Sequence, residues 1–192
     1  MAQQDIAITD ASGHRLSVRT DGSLTTSTIP EGSLPYTTLI RNTLGVVAAN
    51  NFLSVFNPVG SGKTIVIGQF VCYPYATAAA APTDNMEVWR TTAAFVGTLL
   101  AAASINKFDT AQPNSIAEVR TGNPTVTLLG TVPVLAIPPA VTSAGGGVSA
   151  TTSIVPPSGT LFTVRAGEGV VARTPAGSVG QTWSLGFSWL EM

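Results

Sequence analysis

Residues 52–73 read FLSVFNPVGSGKTIVIGQFVCY, and the residues beyond the glycines of this stretch decide the fold. Its middle, residues 57–64 (NPVGSGKT), ends like a Walker A loop. Such a loop works because glycine-rich backbone turns its amides toward phosphates, lysine neutralises the β and γ oxygens, and the hydroxyl holds magnesium. The G-x-x-x-x-G-K-[ST] spacing, however, puts Asn57 where the first glycine belongs, and Pro58 lacks an amide hydrogen. The residues after Thr64 are β formers where a helix N-terminus is needed, and no apolar strand ends in a magnesium-binding Asp. The stretch therefore predicts a strand around Leu53 and Val55, flanked by Phe52 and Phe56, then a Pro/Gly turn and a returning strand from Ile65, with no nucleotide cofactor. On this reading Lys63→Ala leaves folding nearly intact, and Gly62→Val disturbs the turn if Gly62 has positive φ.

The same grammar runs outward. Downstream, MEVWRTT, SIAEVRT, TVTLLGT, PVLAIPP, TSIVPP, TLFTVRA and GVVART are short apolar pieces, separated by Pro124, Pro133, Pro138, Pro139, Gly145–Gly147, Pro156 and Pro157. The chain ends on WSLGFSWLEM, where Trp183, Leu185, Phe187 and Trp189 share one face at period two. Many short strands at close spacing predict a sandwich or barrel. FVGTLLAAAS (residues 95–104) holds good helix formers but no charged or amide residue for an exposed face, so strand or loop is the expectation. The alanine run at 77–82 reads as a loop tip closed by Pro82. Upstream, residues 1–36 alternate apolar clusters with Asp/Gly turns and read as an extended N-terminal arm, leaving 37–192 as the β domain.

Composition narrows the function. Only 10% of the 192 residues are charged, against roughly 25% in ordinary soluble proteins, and Ser, Thr, Ala, Gly and Pro take their place. A surface poor in Lys and Glu resembles an interface, which points to subunit contact. The formal net charge is −1 and the nine basic residues are scattered, so no basic stripe offers nucleic acid a footprint. The most apolar run, 93–105, is too short to cross a bilayer as a helix, so no membrane is expected. The amino terminus lacks a secretory pattern, which places synthesis in a cytoplasm.

Candidate chemistry is sparse. Cys72 and His14 are each alone, which excludes an intrachain disulfide and a Cys2His2 zinc site. His14 sits in the turn-rich arm with no scaffold for a triad. Asp84 with Glu87, and Asp109 with Glu118, are the closest acid pairs outside the arm, and both read as solvated loop carboxylates. Cys72, inside an apolar run, reads as a small buried hydrophobe. The expected catalytic, cofactor and metal residues are therefore none, and the chain is not expected to be an enzyme.

Four stretches carry a resemblance: SVRTDGSLTTS (17–27), FLSVFNPVGSGKTIVI (52–67), VWRTTA (88–93) with NKFDTAQPNSIAEVRTG (106–122), and RAGEGVVARTPAGSVGQTWSLGFSWLEM (165–192). Together they resemble virion structural proteins of tailed bacteriophages. The resemblance implies an antiparallel, jelly-roll-like β-sandwich in which the NPxGSGK-type turn joins two strands and a terminal GEG-to-tryptophan hairpin closes the sheet. It also implies a capsid-decorating cement protein on the virion surface, made in the host cytoplasm. Such a protein would be homotrimeric, partnered with the major capsid protein, and bind by interface burial and strand addition. The alternative it leaves is a head-fibre or tail-associated protein whose loops 76–85 and 138–150 contact a host glycan or protein.

Overall fold

A computed structural model describes residues 7–9, 15–18, 24–27, 33–44, 50–75, 85–92, 96–137, 152–155, 160–175 and 182–192. Two units form: residues 1–34 with Met192, and Pro35–Glu191, so that the first residue of the strand Leu34–Leu44 is the last of the first unit. In the first, the described residues make three short antiparallel strands, β1 (Ala7–Thr9), β2 (Arg15–Val18) and β3 (Leu24–Ser27), in the order β1-β2-β3. His14 and the turns that punctuate this stretch lie outside the described residues, as do the alanine run and the loops at 76–84 and 138–151.

The second unit runs through β4 (Leu34–Leu44), β5 (Asn50–Phe56), β6 (Ile65–Tyr75), β7 (Met86–Thr91) and β8 (Val96–Leu99). A single 3-10 turn at Ala102–Ser104 comes next. The chain continues with β9 (Asn106–Lys107), β10 (Glu118–Thr125), β11 (Leu128–Leu129), β12 (Leu135–Ile137) and β13 (Thr152–Ile154). It closes with β14 (Phe162–Val164), β15 (Gly169–Thr174) and β16 (Thr182–Glu191). The fold is all-β, as its short apolar pieces predict, and FVGTLLAAAS resolves into strand β8 and the 3-10 turn.

Two antiparallel sheets pack as a β-sandwich. One has the order β11-β7-β15-β5-β10-β8, with β12 also on β7; the other has β13-β6-β16-β4-β9, with β14 also on β6. Partners are nested in sequence: β4 lies beside β16, β5 beside β15, β6 beside β14 and β13, β7 beside β12 and β11. The chain from β4 to β7 therefore lies against the chain from β11 to β16 in reverse, and consecutive strands such as β4, β5 and β6 alternate between sheets. Two expectations are corrected by this winding. The turn at 57–64 leads β5 of one sheet into β6 of the other, and β15 likewise leads into β16 across the sandwich, so neither pair is a hairpin. Local sequence specifies the reversal but not which strand becomes the neighbour.

Between the sheets lies the core. Leu53, Val55, Val88, Val170 and Ala172 meet Ile65, Ile67, Phe70, Cys72, Leu185 and Phe187, all buried to within 1%. Phe70 and Phe187, register partners on β6 and β16, pack with ring centroids 4.8 Å apart. Burying each such side chain contributes roughly 1.5–3 kcal/mol. Along β16 the period-two pattern holds unbroken, whereas β6 carries an extra residue. Ser188 pairs with Gln69 and Trp189 with Ile67, so Gly68 is passed over and the inward positions of β6 shift from Phe70 and Cys72 to Ile65 and Ile67.

Away from the core the two sheets differ in charge. The seven-stranded sheet presents Glu87, Trp89 and Arg173 on β7 and β15 and Glu118 and Arg120 on β10. There Arg120 pairs with Glu118 at 2.9 Å, and the Arg173 guanidinium sits 5.9 Å from the Trp89 ring centroid. On the side of the six-stranded sheet away from the core lie Val66, Gln69, Val71 and Tyr73 on β6 beside Leu190, Ser188, Gly186 and Ser184 on β16, with Val66 and Gly186 themselves buried. Edge strands are short, with four residues in β8, two in β9 and three in β13, against eleven in β4 and β6 and ten in β16. On one side, however, β9 pairs with β4 only at Tyr36 and Thr37.

Candidate functional site

Asn57, the residue that departs from the Walker pattern, anchors the 57–64 turn. It is fully buried, and its Nδ2 donates to the Lys63 carbonyl at 2.9 Å and to the Val164 carbonyl at 3.1 Å. Its backbone amide donates to Glu168 O, and its carbonyl accepts from Gly167 N, each at 2.8 Å. One asparagine thus ties its own turn to β14 and to the RAGEG turn before β15. Gly60 and Gly62 have φ of 79° and 68°, in the left-handed region that glycine enters freely. A Cβ on Gly62 would meet no atom within 4 Å, so the cost of substitution is conformational. Gly62→Val is expected to lower stability by about 1–2 kcal/mol, read from the urea midpoint.

The helix that a phosphate cradle needs after Thr64 is replaced by β6, and Lys63 turns inward. Its Nζ lies 3.8 Å from Glu191 Oε2, with the lysine side chain one-third exposed and the glutamate fully buried. Glu191 is the penultimate residue, and the inward pattern of β16 carries it into the core two positions after Trp189. There Ser115 Oγ donates to Oε1, together with Ile116 N at 3.0 Å, Ala117 N at 3.4 Å and Trp189 Nε1 at 3.4 Å. A buried carboxylate survives only with such a set of donors.

This cluster holds the irregular segment between β9 and β10 against the sandwich. Tyr36 Oη donates to Pro113 O at 2.9 Å, Gln112 Nε2 to Pro35 O at 2.6 Å, and Lys107 Nζ to Gln112 O at 2.9 Å. The Tyr36 ring stacks on Trp189 with centroids 5.9 Å apart. Burial raises the Tyr36 phenol above its ordinary value, and the negative charge of Glu191 raises it further. The sequence reading passed over Glu191, although extending the period of WSLGFSW by one step would have placed a carboxylate on the core face.

The other candidate residues are engaged locally. Asp109 Oδ1 accepts from Ala111 N at 2.9 Å, Glu118 pairs with Arg120, and Glu87 accepts from Trp89 Nε1 at 2.8 Å. Asp84 lies outside the described residues. Among the described residues no three His, Cys, Asp or Glu side chains gather as metal ligands, and no helix is long and apolar enough to cross a membrane. A half-open apolar cleft of about 170 Å³ lies beside Tyr36, walled by Pro35, Gly68, Phe108, Trp189 and Leu190. Its Ser188 hydroxyl is shared with Thr37 and Gln69.

No family model, curated protein or solved structure matches this chain.

Cys72 is buried, and burial pushes its thiol up to about 12 from an ordinary 9.0. Above pH 9 the unfolded chain releases this proton while the fold retains it, so the folded state binds more protons and stability falls as pH rises. The slope approaches about 1.4 kcal/mol per pH unit between 9 and 12. The raised Tyr36 acts in the same direction. Melting temperature is expected to fall above pH 9, and Cys72→Ala to flatten that fall; an unchanged slope would count against a buried thiol.

Proposed function

We propose that the chain is a structural component of a tailed-bacteriophage virion, a cement protein that decorates and stabilises the capsid as a homotrimer bound to the major capsid protein, without catalysis. The observation that carries this reading is the use made of the polar groups in the motif that most resembles an enzyme's. Asn57 and Lys63 point into the protein, where they fasten the 57–64 turn, β14 and the C-terminal strand to one another. Scarce charge and the four resembling stretches support the same reading. The nested pairing of β4–β7 with β11–β16 is what a long two-stranded antiparallel ribbon, folded into four successive strand pairs around a barrel, produces, and it favours a jelly-roll over other sandwiches.

The test is addition of purified protein to capsids lacking it. Saturable binding that raises the temperature at which the shells disrupt is the expected result, and failure to bind would overturn the proposal. Titration calorimetry with magnesium-ATP is expected to be flat. A micromolar signal that disappears in Lys63→Ala would instead restore the phosphate-loop reading.

A further inference from the structure

We infer that the outward face of the six-stranded sheet is the surface through which copies of this chain associate. This inference rests on the reading of the chain as a structural protein and adds a contact to it: a face that meets its own copy closes at two, so it joins copies in pairs, and a trimer would use a second surface. The two outward faces differ sharply in charge: the seven-stranded sheet carries glutamates and arginines, in part paired with one another. On the six-stranded sheet, strand alternation places a single charge among the described residues, Arg41 at the far end of β4. A face left to water usually carries many more, and depletion of charge marks the centre of interfaces.

The chemistry of the face selects its occupant. Its polar side chains are Ser, Thr and Gln, each able both to donate and to accept, as Thr37, Ser188 and Gln69 already do among themselves. A surface built from such groups is complementary to its own copy, with no like charges brought together across most of its area. Leu39 and Tyr73, 42% and 37% exposed, supply apolar contact, and Gly186 between Ser184 and Ser188 keeps the middle of β16 low. Strand spacing and rise give the face roughly 450 Å² in projection. Two such faces approach the roughly 1,000 Å² at which specific interfaces begin. Association is therefore expected in the micromolar range, strengthened where copies are concentrated on a shared support.

Sedimentation velocity over a concentration series tests this. Wild type is expected to self-associate, and Leu39→Glu and Tyr73→Glu each to raise the dissociation constant roughly tenfold or more. Both substitutions fall at exposed positions, so circular dichroism and monomer melting should stay unchanged. Val132→Glu, 68% exposed in the connection after β11, is the control and should leave association intact. The inference is overturned if wild type stays monomeric, if association ignores both charges, or if the control disrupts it equally. Association indifferent to Leu39→Glu and Tyr73→Glu would leave the capsid reading standing. Loss of capsid binding with charge-sensitive association would overturn that reading and leave the face.

Discussion

Glu191→Ala is expected to lower the unfolding free energy by about 3–5 kcal/mol, a large part of the roughly 5–15 kcal/mol that holds a domain together. The loss has three sources. Ser115 Oγ and the amides of Ile116 and Ala117 lose their shared acceptor in a site closed to water. Lys63 loses the partner that draws its Nζ inward. A cavity opens beside Trp189 and Tyr36, whose stacked rings close that end of the core. For a chain of this length each kcal/mol shifts the melting temperature by about 2–4 °C, so a fall near 10 °C is the expected reading. Glu191→Gln should lose less, since one oxygen still accepts, although its amide would face the lysine. Lys63→Ala, at a side chain one-third exposed on the outer side of the pair, is expected to cost about 1 kcal/mol. That is more than the near-neutral effect the sequence alone led us to expect. If Glu191→Ala melts with the wild type, the carboxylate does not hold residues 113–117.

The strands themselves were legible because each signal is local. Alternation along WSLGFSW, β-branched runs after Thr64 and Pro/Gly punctuation all act within a few residues, and β6 succeeds Thr64 as they require. Asn57 was legible as an exception to a motif, but its role was not, because its partners Val164 and Glu168 lie more than a hundred residues away. Pairing was hidden for the same reason. A turn that reads as a hairpin and a turn that leads from one sheet to the other use the same glycines, and the difference lies in what β15 and β16 offer on each side. Gly68 shows the limit at single-residue scale. One extra residue in β6 reverses which side chains face inward, and nothing in TIVIGQFVCY marks it except the glycine. Glu191 was missed because the alternation was followed only as far as Trp189, when the buried face continues one step further into a carboxylate.

Gly186→Ala is the second substitution expected to have a large effect, and it separates two reasons for a glycine. Gly186 lies midway along β16, where the sequence pattern reads it as a small outward spacer. An added Cβ would come within 2.3 Å of the Thr38 carbonyl oxygen and 3.3 Å of the Leu39 Cα. The obstacle is backbone, so no rotamer change relieves it and β4 must move away from β16. That movement would strain the Thr37 Oγ1 hydrogen bond to Phe187 O at 3.2 Å and the Thr37–Ser188 contact at 3.0 Å. A cost of about 2–4 kcal/mol is expected from this overpacking. Gly60→Ala is the comparison: no atom lies within 4 Å of its Cβ, and its φ of 79° alone should cost only about 1–2 kcal/mol. The ordering of the two urea midpoints carries the argument. If Gly60→Ala proves the more damaging, then backbone conformation in the 57–64 turn governs stability, and the close approach of β4 to β16 does not. If Gly186→Ala is worse, the glycine that flattens the uncharged face also fixes the spacing of the two strands beneath it, so that face is set by the fold and not by surface composition alone.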